Sequence, residues 1–299
     1  MTLDRADRLP PGLRNRVLAA AREARVAGRP VPDAPEIAPA EAFARAADAF
    51  AGLLASLDEP AWRVPVLRDL DVQGLVGHLV GVEVDLQRAL AGDVAVADLD
   101  HVEGTQPTAE RERNRDPRLT RAAFRDAVDR TLRAVSATAD ADGRSVALYG
   151  LRLPRAALLV VRAFELWTHE NDIRAALGLP PSVPDASTLR SMTELAATLL
   201  PRAVARAAPE FDPLDLHLVL TGPGGGTWDV ALGGDRYAGS SRAPGEGPVV
   251  PGLLLVVDAV DFCRLAADRL SPDDVAIQVD GAVDAARAVL AGAATLALD

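Results

Sequence analysis

The longest apolar-periodic run of the chain, residues 154–177, constrains the fold more than any other stretch. Between Ala156 and Thr168 it carries only two charged residues, Arg162 and Glu165. A helix with so little polar surface is buried nearly all round, and ionisable groups inside it need partners. Glu165 and His169 are four residues apart, so on a helix they share one face, one turn apart. Asp172, three residues on, leans the same way. A carboxylate and an imidazole at this spacing can reach one divalent metal, with a third ligand supplied from elsewhere. Of the four histidines, His78 lies in a second strongly helical run, residues 71–91. The pattern predicts a metal site between two helices of a bundle, made by His78, Glu165 and His169. Asp172 would orient a ligand imidazole through its other ring nitrogen. The plainer alternative stays open: Glu-x-x-x-His arises by chance on many helices, as a salt bridge or a satisfied polar contact.

Around this run the chain divides by texture. Residues 1–36 read as a short helix started at Pro10-Pro11, followed by a proline-rich linker. Residues 40–57 form a first main helix, with Phe43, Ala46, Ala47, Phe50, Leu53, Leu54 and Leu57 at the 3.6 period. Asp71 caps the second. There Leu75, His78, Leu79, Val82 and Leu86 share one side, which suits a ligand and equally suits a core histidine. Residues 92–118 show no period and read as a long connection, with His101 read as a solvated loop histidine ahead of the alternative, a pocket residue. The charged stretch Arg111-Glu112-Arg113-Asn114-Arg115 within it, and Asp140-Ala141-Asp142 further on, read as solvated loops. A third helix covers 120–136, a short extended segment 145–153, and a fifth helix 187–207 follows the central run.

At Pro209 the period changes from 3.6 to 2. Residues 214–220 alternate as a strand, 227–232 form a second, 253–257 and 275–279 two more, with helices over 259–270 and 283–290. The tract Gly222-Pro223-Gly224-Gly225-Gly226 lacks the Gly-Lys-Ser/Thr tail of a phosphate loop and joins two strands, so it reads as a hairpin turn. His217 faces away from Leu216, Leu218 and Leu220 and is expected at the surface or an edge. The fold class is therefore α+β: a helical bundle over residues 37–208, then a small α+β domain over 209–299, after the extension 1–36.

Composition excludes several partners. The net charge of −11 argues against nucleic acid and anionic membranes, which need a basic surface. No apolar run approaches the roughly 20 residues of a spanning helix, and the charged N-terminus lacks a signal-peptide core. A cytoplasmic protein is expected. The single cysteine, Cys263, allows no intrachain disulfide and reads as a buried structural thiol.

Two motifs carry a resemblance. Leu70-Asp71-Val72-Gln73-Gly74-Leu75-Val76-Gly77-His78-Leu79 resembles the first metal-motif helix of the DinB-like four-helix-bundle proteins. Glu165-Leu166-Trp167-Thr168-His169-Glu170-Asn171-Asp172 resembles the second metal motif of the mycothiol-dependent maleylpyruvate isomerase family, and the stretch from Asp258 to Arg269 with Asp280-Gly281 resembles that family's C-terminal domain. The resemblance spans about residues 40–299; the first 36 residues fall outside it. It implies one divalent metal, usually zinc, on His78, Glu165 and His169, with mycothiol as thiol cosubstrate at an open position. It also implies a small electrophilic substrate that is isomerised or takes up the thiol. The competing expectation is a non-catalytic metal-binding or regulatory module, for which the N-terminal extension would be a protein-binding arm.

Overall fold

The computed structural model describes residues 34–137, 143–233 and 252–297, and the elements below are those of the described residues. The predicted N-terminal helix and the Asp140–Asp142 segment lie outside them. Residues from Ala34 onward make one compact unit.

The first helix, α1 (Pro39–Ser56), starts on a proline at its first turn and buries Phe43, Ala46, Ala47, Phe50, Leu53 and Leu54. α2 (Val72–Leu90) is capped by Asp71, whose carboxylate accepts from the Gly74 N–H at 2.7 Å. Before it, β1 (Pro65–Leu67) and β2 (Leu70–Asp71) form a small antiparallel pair. α4 (Pro117–Ser136) and α5 (Arg155–Ala176) complete a four-helix bundle with α1 and α2: α1 packs on α4 and α5, and α2 packs on the same two. Phe50 and Phe124 meet in its middle with ring centroids 5.1 Å apart.

The expected connection over 92–118 is instead largely helical. α3 (His101–Arg113) is capped by Asp100 and lies along α2. Its buried positions, His101, Thr105, Ala109 and Glu112, sit at helical spacing but are mostly polar, so no hydrophobic period announces them. Gly77 and Gly81 let α3 approach: a Cβ at Gly77 would lie 2.7 Å from Glu112 Cβ and 2.9 Å from Ala109 Cα, and one at Gly81 3.0 Å from Thr105 Cβ. Two readings are corrected here. His101 is a buried helical residue, not a solvated loop histidine, and Glu112 is buried against Arg115 (Nη1–Oε1 2.7 Å) rather than solvated.

The extended segment before α5 is a hairpin of β3 (Ser145–Leu148) and β4 (Leu151–Pro154). Its tip, Tyr149-Gly150, has φ of +52° and +73°, the left-handed pair a two-residue hairpin needs.

After α6 (Ala186–Ala207) comes a four-stranded sheet in the order β6-β5-β7-β8. β5 (Leu214–Thr221) runs antiparallel to β6 (Gly226–Leu232) and parallel to β7 (Leu253–Asp258), and β7 runs antiparallel to β8 (Ile277–Gly281). Register sets Leu218 opposite both Trp228 and Leu255. The glycine tract turns β5 into β6, with Gly222 and Gly224 at positive φ, as a hairpin requires. His217 is partly exposed on the outer face of β5, an inner strand, and pairs with Asp229 at 2.7 Å. α7 (Ala259–Ala266) and α8 (Val283–Ala294) cover the inner face, and the buried Cys263 sits on α7. α6 packs on α5 and also on α7 and α8, so bundle and sheet share one apolar core. No described helix is long and apolar enough to cross a membrane.

Candidate metal centre

His78 arrives from α2, His101 from the first turn of α3, and Glu165 and His169 from successive turns of α5; the three histidines are buried and Glu165 is nearly so. Glu165 Oε1 is where they converge. It lies 3.3 Å from His101 Nε2, 3.5 Å from His78 Nε2 and 4.0 Å from His169 Nε2. Donor atoms of His78, His101 and Glu165 all fall within 4.8 Å of one another. Atoms sharing one tetrahedral zinc at about 2.0–2.2 Å are separated by roughly 3.3–3.6 Å.

The histidines are oriented from behind. His78 Nδ1 lies 2.6 Å from Thr105 Oγ1, and that hydroxyl donates its only hydrogen to backbone carbonyls, chiefly His101 O at 2.9 Å. The hydroxyl must therefore accept from Nδ1–H, which leaves the Nε2 lone pair of neutral His78 facing Glu165. His169 Nδ1 lies 2.9 Å from Asp172 Oδ2, and a carboxylate can only accept, so the neutral ring turns its Nε2 lone pair inward as well. Asp172 is fixed in turn by Arg269, which donates from Nε (2.8 Å) and Nη2 (3.0 Å). Imidazoles held at Nδ1 by an outer acceptor, with Nε2 free for an ion, are the usual arrangement around a bound metal.

Two lone pairs and a carboxylate oxygen pointed at one another repel. Glu165 Oε1 is moreover buried without a hydrogen-bond donor. A cation at the point of convergence resolves both facts, so these side chains fit a divalent metal. Burial is the main reason that His78 is held down at about 4, so it is neutral and available as a ligand at neutral pH. Burial pushes the Glu165 carboxyl up, but Arg162 foremost, with His101 and His78, outweighs it and keeps the group well below the usual carboxylate range. Burial likewise opposes ionisation of Asp172, and His169 and Arg269 overcome it.

Arg162, one turn before Glu165, is fully enclosed. It grips Glu165 Oε2 and donates from Nε to Glu83 Oε1 at 2.9 Å, while Thr131 donates to the other Glu83 oxygen at 2.6 Å. The guanidinium thus occupies one oxygen of Glu165 and leaves the other to the histidines. Tyr149 packs tilted against His101 with ring centroids 4.9 Å apart, and its hydroxyl donates to Asp85 at 2.9 Å. A cleft opens onto the cluster between α5, α6 and the chain end after α8, lined by His101, Glu165, Thr168 and His169 and by apolar side chains.

The structure therefore gathers His78, Glu165, His169 and Asp172 in one place. His101, missed in the sequence, joins them. The signal for it was present in the 4, 4, 3 spacing of His101, Thr105, Ala109 and Glu112 behind the Asp100 cap, but Gly104, Pro107 and the polarity of that face hid it. Arg162 was legible as a buried charge, but its tie to Glu83, 79 residues away, was not, and Arg269 was missed because Asp172 is 97 residues away. Cys263 is not among the lining residues of the cleft, and burial pushes its thiol well up, against a nucleophilic role.

A family model described as the mycothiol maleylpyruvate isomerase N-terminal domain matches residues 43–174, the stretch that holds all five residues of the cluster. Two crystal structures, of a mycothiol-dependent maleylpyruvate isomerase and of a mutant of it, share the fold at TM-score 0.54 and 16% identity, over 80% of this chain and 91% of theirs. No curated protein matches. Residues 43–174 thus resemble the N-terminal domain of the mycothiol maleylpyruvate isomerases, and the fold is that of the two isomerase structures.

Proposed function

We propose that this protein is a divalent-metal-dependent, mycothiol-using isomerase or S-transferase acting on a small electrophile in the cytoplasm, with zinc as the ion. His78, Glu165 and His169 would hold the metal, and His101 lines the cleft beside them. The observation that carries this reading is the convergence of three Nε2 atoms on one donor-less oxygen of Glu165, with Thr105 and Asp172 behind two of the imidazoles. The chemistry a metal held there would supply is a lowered pKa for an arriving thiol, favouring the thiolate. The chain's own residues do the rest. Thr105 and Asp172 fix tautomer and ring orientation, and Arg162 holds the carboxylate ionised and in one rotamer. The apolar walls keep water from the reacting sulfur.

Metal stoichiometry by mass spectrometry tests this. Wild type should hold one equivalent of zinc, and His78→Ala, Glu165→Ala and His169→Ala should each lose it together with mycothiol-dependent turnover. Wild-type metal content in all three variants, or none in zinc-replete wild type, would sink the reading.

A further inference from the structure

The walls of the cleft and the charges at its floor together bear on what reacts there. Val161, Phe164, Leu195, Leu199 and Leu296 are each half-buried and face the space, and apart from the cluster residues His101, Glu165 and His169 the only polar side chain among its described lining residues is Thr168. Among the described residues no arginine lines it. The neighbouring cations are matched. Arg162 is enclosed between Glu83 and Glu165, and Arg269 is tied to Asp172. Arg264, 3.5 Å from Asp261, lines a second cleft with Asn171, Asp172 and Arg269. The two clefts meet at Thr168 and Ala267.

Charge counting gives the consequence. A divalent ion, the Glu165 carboxylate and a thiolate sum to zero. Glu83 balances Arg162, and Asp172 balances Arg269. A dicarboxylate entering the apolar cleft would be stripped of water with no surplus positive charge among the described residues to meet it, which is strongly unfavourable. A neutral molecule with an apolar body gains from the same walls.

We infer, resting on the metal-thiol reading above, that the second reactant of this site is a small uncharged electrophile with an apolar body rather than a dicarboxylate. With an aryl halide the balance is simple. The thiolate sulfur bonds to the ring carbon, the carbon–halogen bond breaks, and the halide leaves with the electron pair; the thiol proton passes to solvent.

The test has a binding arm and a turnover arm, both on the full chain. In the first, N-phenyl-1-naphthylamine, an uncharged fluorophore, is bound with and without added zinc and competed with 1,3-dinitrobenzene or maleate. Binding, displacement by dinitrobenzene, and at least tenfold weaker displacement by maleate are expected. Leu199→Arg should weaken the fluorophore at least tenfold; should that variant misfold, the wild-type competition still decides. In the second arm, zinc-loaded protein with mycothiol should turn over 1-chloro-2,4-dinitrobenzene at least tenfold more efficiently, by kcat/KM, than maleylpyruvate. Equal displacement by maleate, no fluorophore binding, or preferred turnover of the dicarboxylate would overturn the inference. Because the first arm also runs without metal, loss of the metal reading would leave its result standing, and the two failures are distinguishable.

Discussion

At the scale of single residues, His78 and Asp172 make the centre sensitive to protons and to small changes behind the ligands. His78 is held at about 4 against an ordinary value of 6.5, so between those values the unfolded chain binds a proton that the folded chain refuses. The sign follows: stability of the metal-free protein rises with pH across that window and is flat, for this group, above it. The full span is worth about 3 kcal/mol. Glu165 and Asp172, whose carboxyls are held low, act in a separate and more acidic window, where their stabilisation is lost as pH falls through their folded values. Urea titrations of metal-stripped protein at pH 7, 6, 5 and 4 should show the decline beginning near 6.5, and a flat profile down to pH 4.5 would contradict it. Asp172→Asn keeps an acceptor near His169 but loses the charge that binds Arg269. It should weaken zinc affinity by roughly 10–100-fold, read by competition with a chromophoric chelator, while stoichiometry at saturating zinc stays at one.

At the scale of elements, the approach of α3 to α2 decides whether His101 and Thr105 reach the cluster. Gly77→Ala would set a Cβ 2.9 Å from the Ala109 backbone, which cannot swing aside as a flexible side chain would. Alanine is the better helix former by about 1 kcal/mol, but the displaced helix costs more, so a net loss of about 1–3 kcal/mol is expected, with weaker zinc binding. Gly52→Ala on α1 is the control. It has nothing within 4 Å and should gain about 0.5–1 kcal/mol. Thermal melts of the two variants should move in opposite directions, and a stabilised Gly77→Ala would mean that α3 is not held against α2 as described.

At the scale of the whole molecule, α6 belongs to both parts. It packs on α5 in the bundle and on α7 and α8 beside the sheet, and Arg269, after α7, holds Asp172 on α5. A fragment of residues 37–208 should therefore stay helical by circular dichroism, because the four-helix core is complete within it, yet melt below the full chain, because Leu200, Ala203 and Val204 of α6 lose cover. A largely β or unfolded spectrum would refute the division of the chain near residue 208.

The sequence by itself determined what local periodicity can encode. The 3.6 spacing marks α1, α2, α4 and α5, the alternation marks β5, and Glu165 and His169 one turn apart on an almost wholly apolar helix mark the centre. His78 was legible because its helix carries an apolar face around it. His101 was not, since α3 buries a polar face whose burial depends on two glycines of α2, and no hydrophobic pattern records such a contact. The ties between Glu83 and Arg162 and between Asp172 and Arg269 cross 79 and 97 residues of chain. Only the tertiary structure decided these, because charge pairing over such separations follows from packing that brings helices together and leaves no trace in the spacing of either partner.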